Sequence, residues 1–269
     1  MFEIFKEPFM QTALVGGLII SSLCAYLGVF VVLKRIVFVG IALSEVAALG
    51  VAVGLFIGIN PVLSAFILTI LAVFLLGFPI SDKIVSRECM IGFTYASCAA
   101  LAVILVAKNP LAEAHGLNLI SGNLLYMTWV DIQLLCYVSV AVAVIHLIFF
   151  KEFIFISFDR ETALTTGIKA NLRDFLLYLT IGVVISVSMK VCGVIFVFAS
   201  LIIPAMAGLL IAKEIRKIFV SSVLIAAFCV LGGLYMSYKL DLPTAPSIVG
   251  LYGLFFCVLA GIRFLLGNR

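Results

Sequence analysis

Long apolar runs, separated by charges, prolines and turn residues, dominate this sequence. A helix that crosses a hydrocarbon core of about 30 Å needs about 20 apolar residues, and most of the runs are close to that length. Because backbone in lipid must satisfy its own hydrogen bonds, such runs are expected to be α-helical. The predicted spans cover residues 11–33, 37–58, 62–79, 90–107, 132–150, 173–189, 192–212, 218–237 and 246–266.

This pattern predicts an all-α polytopic membrane protein, a bundle of about nine transmembrane helices in one domain over residues 1–269. Eight spans are also possible, because the first or the seventh run could fail to cross. Residues 108–130 interrupt the pattern with Pro110 and Gly116. The apolar stretch 119–129 is too short to span and is predicted to be re-entrant or interfacial.

Composition supports the membrane assignment and excludes several other classes. Of the 269 residues, 65% are hydrophobic and 11% charged, whereas a soluble domain is about half apolar and a quarter charged. The nine spans leave room only for short loops. The seven cysteines include no CxxC pair and only two histidines are present, so a Cys/His zinc site of ordinary spacing is absent.

The distribution of basic residues predicts the orientation. Thirteen of the 17 lysines and arginines fall in alternate loops and at the C-terminus, and four fall on the opposite side. The positive-inside rule places the first set, and therefore the C-terminus, in the cytoplasm. The net charge is +4, but the basic residues are scattered in ones and twos between apolar runs. This distribution does not indicate nucleic-acid binding.

Small residues recur every four positions in the second span. Gly50 and Gly54 form a GxxxG motif, and Gly40, Ser44 and Ala48 form a second row. Such rows let helix backbones approach closely in lipid. They predict a packing seam within the bundle.

Glu45 is the only one of thirteen acidic residues well inside a predicted span. A carboxylate there is costly, so it normally faces a transport pathway or a partner. Ser44 precedes it and offers a second oxygen, which makes both candidate ligands for a metal in transit. The alternative is a protonated or hydrogen-bonded acid that holds the bundle together.

The longest polar stretch on the predicted inner face is 158–168, with the sequence FDRETALTTGI. Asp159 is placed to cap a short helix, Glu161 lies in its first turn, and Gly167 can end it. This helix is either an ordinary surface turn or a docking element for a soluble motor protein. The chain has no HExxH, GxSxG or Gly-Lys sequence, so ATP binding through a P-loop is excluded and any ATP energy must come from a partner.

Several segments together resemble the permease family of bacterial ABC importers for zinc, manganese and iron(II), which is related to the vitamin B12 and siderophore permeases. The most specific is the FDxExAxxxGI stretch, followed at a distance by a Pro-containing run that kinks its helix. The similar segments are 34–44, 58–61, 121–125, 158–168, 193–204 and 241–243.

The resemblance implies a permease subunit, not an enzyme, in a bacterial inner membrane. It would bind no cofactor itself and would carry a divalent metal as cargo, while a separate ATP-binding cassette subunit holds ATP. An extracytoplasmic metal-binding protein would deliver the ion, and the permease would be a homodimer or a pair with a related chain. The implied coupling loop is 152–171, with Asp159, Glu161, Thr162, Ala163 and Gly167. The implied pathway or gate residues are Asn60, Pro204, Met206 and Asp241.

The chain departs from the family pattern at the metal position. The family usually shows Asp-Ala-x-Ser-His there, but this chain has Ile41 in place of the Asp and Glu45 in place of the His. The expected cargo is zinc or manganese, with iron(II) third, because a carboxylate suits all three and oxygen ligands favour harder ions. The alternative is a secondary transporter driven by an ion gradient, which should show more intramembrane acids or an inverted repeat. Neither is seen in the sequence.

Overall fold

The computed structural model describes residues 7–77, 87–108, 124–167 and 169–266, and within these ranges the chain is helical without strands. A 3₁₀ turn, Leu124–Tyr126, precedes the helix that begins at Trp129. The helices are α1 Pro8–Leu33, α2 Val37–Ile57, α3 Pro61–Gly77, α4 Arg87–Ala107, α5 Trp129–Phe158, α6 Arg160–Thr165, α7 Ala170–Ile211, α8 Ile215–Leu240 and α9 Thr244–Leu266.

Seven of these helices are long and apolar enough to cross a membrane in the part of the chain that is described. They are α1, α2, α4, α5, α7, α8 and α9, and α3 is a shorter apolar helix. The predicted all-α membrane class is confirmed. The nine predicted spans all fall on helices, except that residues 78 and 79 of the third lie outside the described residues.

Two predicted spans, 173–189 and 192–212, lie on the single 42-residue helix α7. The helix is interrupted at Gly193, whose φ of 72° and ψ of 168° are non-helical. A side chain would disfavour this positive φ, whereas glycine adopts it readily. The predicted separation therefore corresponds to one backbone break between two helical parts and not to a loop.

The chain divides into two compact units. The first contains the described residues of 1–32, 120–136 and 191–269, and the second those of 33–119 and 137–190. In the first unit α1 lies directly on the second part of α7, where a Cβ on Gly28 would overlap the carbonyl oxygen of Leu201. Tyr26 and Phe30 of α1 both pack on Phe219 of α8, with ring centroids 5.0 Å apart in each pair.

The second unit contains α2, α3, α4, α6, most of α5 and the first part of α7. The predicted GxxxG seam is found between α2 and α3, because a Cβ on Gly50 would overlap the Ala65 backbone. Ser64 of α3 donates a hydrogen bond of 2.6 Å to the Gly50 carbonyl. The backbones of α2 and α3 thus meet without intervening side chains.

Only part of the interrupted region 108–130 is described, and residues 119–123 of the apolar stretch 119–129 lie outside the described part. The 3₁₀ turn is anchored to the first unit because the Leu124 amide donates to Thr244 Oγ1 at 3.2 Å. The re-entrant or interfacial assignment stays a prediction, as does the single domain over 1–269.

Replacement of Gly50 by alanine is expected to destabilise the protein by about 1–3 kcal/mol, because the added methyl group must push α2 and α3 apart. The matched control is Gly92→Ala on α4, where a Cβ would meet no atom within 4 Å. Its helix propensity predicts no loss and a gain of up to about 1 kcal/mol. Thermal unfolding in detergent measures both, and equal melting temperatures for the two variants would contradict the seam.

Candidate functional site

Glu45 lies close to the middle of α2 and its side chain is half-buried. Ser44 is fully buried, and its hydroxyl donates a 3.0 Å hydrogen bond to the carbonyl oxygen of Gly40, one turn earlier. Consecutive residues of a helix point about 100° apart. The structure therefore does not bring the Ser44 hydroxyl beside the Glu45 carboxylate, and their joint role as ligands stays a prediction.

Cys98 of α4 is the polar neighbour of Glu45 that the sequence did not indicate. The two side chains are close enough to interact electrostatically, and α4 packs along α2. The helix register agrees: Val106, about two turns after Cys98, packs against the cluster of Val51 and Ala65, and Val51 lies nearly two turns after Glu45. Glu45 and Cys98 therefore lie at a similar level along the α2–α4 pair.

This pair falls short of a closed metal centre. Among the residues that the structure describes, no three His, Cys, Asp or Glu side chains converge on one point, whereas a structural zinc site has four ligands. Carboxylate and thiolate together can provide two donors to an ion. Such an arrangement suits transient contact better than permanent retention.

The predicted docking element folds as the short helix α6, directly after α5. Asp159 caps it, since its Oδ1 accepts a 3.0 Å hydrogen bond from the Thr162 amide and its Oδ2 a 2.5 Å bond from the Thr162 hydroxyl. Ala163 is fully buried, whereas Asp159, Thr162 and Gly167 are exposed. Gly167 has a φ of 82°, which favours glycine at the end of a helix.

The capped helix and its glycine stop therefore agree with the sequence prediction. Four of the five predicted coupling residues occupy one helical turn and its C-terminal stop, and all of them except the buried Ala163 are exposed. The fifth, Glu161, lies in the helix, but its side chain is outside the described residues.

Two of the four residues predicted as pathway or gate, Asn60 and Asp241, lie at helix ends, where they have local structural roles. Asn60 caps α3, with its Oδ1 accepting a 3.0 Å hydrogen bond from the Val62 amide. Asp241 ends α8 in the left-handed conformation, with a φ of 52°. Pro204 is buried within α7 and Met206, also on α7, is half-buried. Their role in gating stays a prediction.

Two ion pairs beside α6 were missed by the sequence analysis. Asp174, in the first turns of α7, pairs with Lys34 in the turn before α2. Its neighbour Arg173 pairs with Glu152 of α5. A further buried contact joins α5 to α7, where His146 Nε2 lies 3.1 Å from Thr180 Oγ1. In the sequence, the four charged residues of these ion pairs lie only in loops or at the edges of predicted spans, and nothing indicates which of them pair.

Comparison with known proteins identifies the architecture. The ABC 3 transport family matches residues 6–262. The chain belongs to the ABC 3 transport family. This membership supports a permease of an ABC system over a gradient-driven secondary transporter and over an enzyme.

Individual relatives match this chain over nearly its whole length. The chain is 30% identical to the manganese import system permease protein ScaB of Streptococcus gordonii, over 93% of this chain and 90% of that protein. It is 28% identical to the high-affinity zinc uptake system membrane protein ZnuB of Haemophilus influenzae, over 93% and 94%.

A solved structure gives the same result for the fold. PsaBC from Streptococcus pneumoniae, in complex with Fab, superposes with a TM-score of 0.85 at 26% identity, covering 96% of this chain and 95% of that one. The family permease is thus a multi-pass membrane protein. A permease of an ABC system works with an ATPase and a substrate-binding protein, so this chain acts together with partners.

Proposed function

We propose that this chain is the membrane permease of an ATP-driven importer that moves a divalent transition metal into the cytoplasm. The observation that carries the proposal is Glu45, a carboxylate in the middle of an apolar spanning helix and within electrostatic reach of the Cys98 thiol. A charge in such a place is expensive unless a cation or a partner compensates it. Relatives named for manganese and zinc support the same cargo.

The donor atoms bear on which metal is carried. A carboxylate suits manganese, iron(II) and zinc alike, whereas a thiolate favours zinc and other softer ions. We propose zinc and manganese as the foremost cargoes, with iron(II) third, and Cys98 as the residue that shifts the preference toward zinc. With Glu45 and Cys98 as the two proposed donors, the ion would be passed on rather than stored.

The power source is proposed to be a separate ATPase that docks on α6. In support, α6 presents Asp159 and Thr162 on its exposed side and is anchored by the buried Ala163. The sequence has no Gly-Lys dipeptide, which a P-loop requires. ATP would therefore be bound by the partner, and this chain would hold no cofactor.

The proposed topology follows from the charges. The segment around α6 carries Arg160, Lys169 and Arg173, which the positive-inside rule places in the cytoplasm together with the C-terminus. We propose a bacterial inner membrane, a homodimer of this permease, and delivery of the metal by an extracytoplasmic binding protein. The outward-facing apolar side chains of α4 and α9 agree with a lipid environment.

Replacement of Glu45 by glutamine is expected to abolish metal uptake and to leave assembly with the ATPase intact, because the amide keeps the shape and removes the charge that attracts the cation. Glu88→Gln is the matched control, since Glu88 is an exposed acid in the first turn of α4. Uptake of radiolabelled zinc and manganese into proteoliposomes measures both. Normal uptake by the Glu45 variant would remove this residue from the pathway.

Replacement of Cys98 by serine is expected to lower zinc uptake by about tenfold and manganese uptake by less, because the hydroxyl oxygen is a harder and weaker donor than the thiolate. Cys257→Ser is the control, as Cys257 is an exposed cysteine in the other unit. The ratio of zinc to manganese uptake is the measurement. An unchanged ratio would contradict the role of Cys98 in selectivity.

Charge reversal on the docking helix, Asp159→Arg with Glu161→Arg, is expected to prevent association with the ATPase. The double change removes the cap of α6 and adds positive charge at a helix N-terminus, which is unfavourable. The control is Glu214→Arg, an exposed acid that precedes α8. Co-purification of the ATPase measures the effect, and full recovery with the double variant would show that the contact lies elsewhere.

A further inference from the structure

The ion pair between Lys34 and Asp174 joins residues 140 positions apart in the sequence. Both side chains are only 10% exposed. The Lys34 ammonium also lies 5.8 Å from the centre of the Tyr178 ring, where the face of the ring attracts a cation. Two charges this well shielded pay a desolvation penalty that reduces their net contribution to stability. Their placement therefore calls for a reason beyond stability.

Lys34 is attached to the helix that carries Glu45. It stands in the short turn before α2, and the next residue, Arg35, has a left-handed φ of 58°. This conformation is uncommon outside glycine, asparagine and aspartate and costs about 1–3 kcal/mol when it persists. Only Arg35 and Ile36 separate Lys34 from α2, so a displacement of Lys34 would be passed to the first turn of α2.

Asp174 is attached to the docking helix. Only residues 166–169 separate α6 from α7, and the backbone of Lys169 accepts hydrogen bonds from the Leu172 and Arg173 amides as α7 begins. Asp174 follows one residue later. Movement of α6 would therefore move this end of α7 and its carboxylate.

The two helices that flank α6 are braced against each other. Arg173 pairs with Glu152, and its guanidinium carbon lies 3.8 Å from the centre of the Phe149 ring. Further along, His146 and Thr180 are in contact across the same pair of helices. Helices α5 and α7 therefore form a hairpin with α6 at its tip. The two contacts hold α5 against α7 on both sides of Phe149, where the backbone of α5 is non-helical.

We propose that the Lys34–Asp174 ion pair is the contact through which this hairpin moves α2, so that ATPase-driven displacement of α6 reaches Glu45. Both are positioning residues, since they act through α2 and do not touch the metal. All the groups involved belong to the second unit. The proposal rests on the proposed function, because it requires an ATPase on α6 and a metal at Glu45.

The test uses the complete importer, with permease, ATPase and metal-binding protein, in proteoliposomes. Asp174→Asn and Lys34→Met each remove one charge with little change in volume. We expect ATP hydrolysis to continue and the number of zinc ions imported per ATP to fall by roughly tenfold, a usual size for coupling between sites. A role in folding alone would lower the amount of assembled complex and leave this ratio unchanged.

Three control variants isolate the contact. Glu214→Gln breaks the Glu214–Lys217 pair, in which both side chains are 68% exposed, and should keep the ratio of zinc to ATP. Glu152→Gln removes part of the brace within the hairpin and should lower the ratio less than Asp174→Asn does, because the contact of His146 with Thr180 still joins α5 to α7. The exchange Lys34→Asp with Asp174→Lys should restore it, and it replaces the single variants where neither assembles.

An unchanged ratio in an assembled single variant, an equal loss in Glu152→Gln, or an assembled exchange variant that remains uncoupled would each overturn the inference. Failure of the proposed function looks different, because the unmodified complex would then import no zinc, manganese or iron(II). A working unmodified complex with an unaffected Asp174→Asn variant removes only the coupling role of the ion pair.

Discussion

Hydrocarbon offers no hydrogen-bond partner to a polar group, and every helix of this permease must satisfy that condition within itself or against a neighbour. Most polar side chains in the spans do so locally, as Ser44 does by donating to the carbonyl of Gly40. Those that reach across helices, such as His146 with Thr180, tie specific pairs of helices together. Glu45 differs in being an ionisable acid that is only half-buried, and for that reason it is the residue on which the proposed transport depends.

The same environment explains the use of small residues. Lipid removes the usual hydrophobic driving force between helices, so close packing has to supply the attraction. At Gly28 in the first unit and Gly50 in the second, the neighbouring backbone occupies the space of a side chain. Packing without large side chains fixes the separation of the helices. It also explains how a chain with 65% hydrophobic residues specifies one arrangement among many apolar ones.

The charged residues are concentrated where helices end, and there they connect elements that are distant in the sequence. Around α6, one pair links α5 to α7 and another links α7 to the turn before α2. In the proposed importer, mechanical work from the ATPase would enter at the surface of this chain and would have to reach the cargo. Shielded ion pairs at the base of apolar helices are suited to that task because they are directional, whereas apolar contacts can slide.

The sequence by itself determined the elements. Apolar length gave the spanning helices, because crossing a bilayer is a property of one segment at a time. The capped helix at Asp159 and its end near Gly167 were also predictable, since capping involves residues three or four positions apart. The GxxxG row of Gly50 and Gly54 predicted a seam, although not that α3 would fill it.

Tertiary structure decided which side chains meet. The position of Cys98 within electrostatic reach of Glu45 and the pairing of Lys34 with Asp174 depend on the rotation and register of separate helices. Hydropathy and spacing do not encode these, because many rotations bury the same apolar area. The structure likewise turned Ser44 away from Glu45 and placed two predicted spans on one helix broken at Gly193. Apolar length and capping within each segment determine the helices, and the few polar contacts between helices determine how they are arranged.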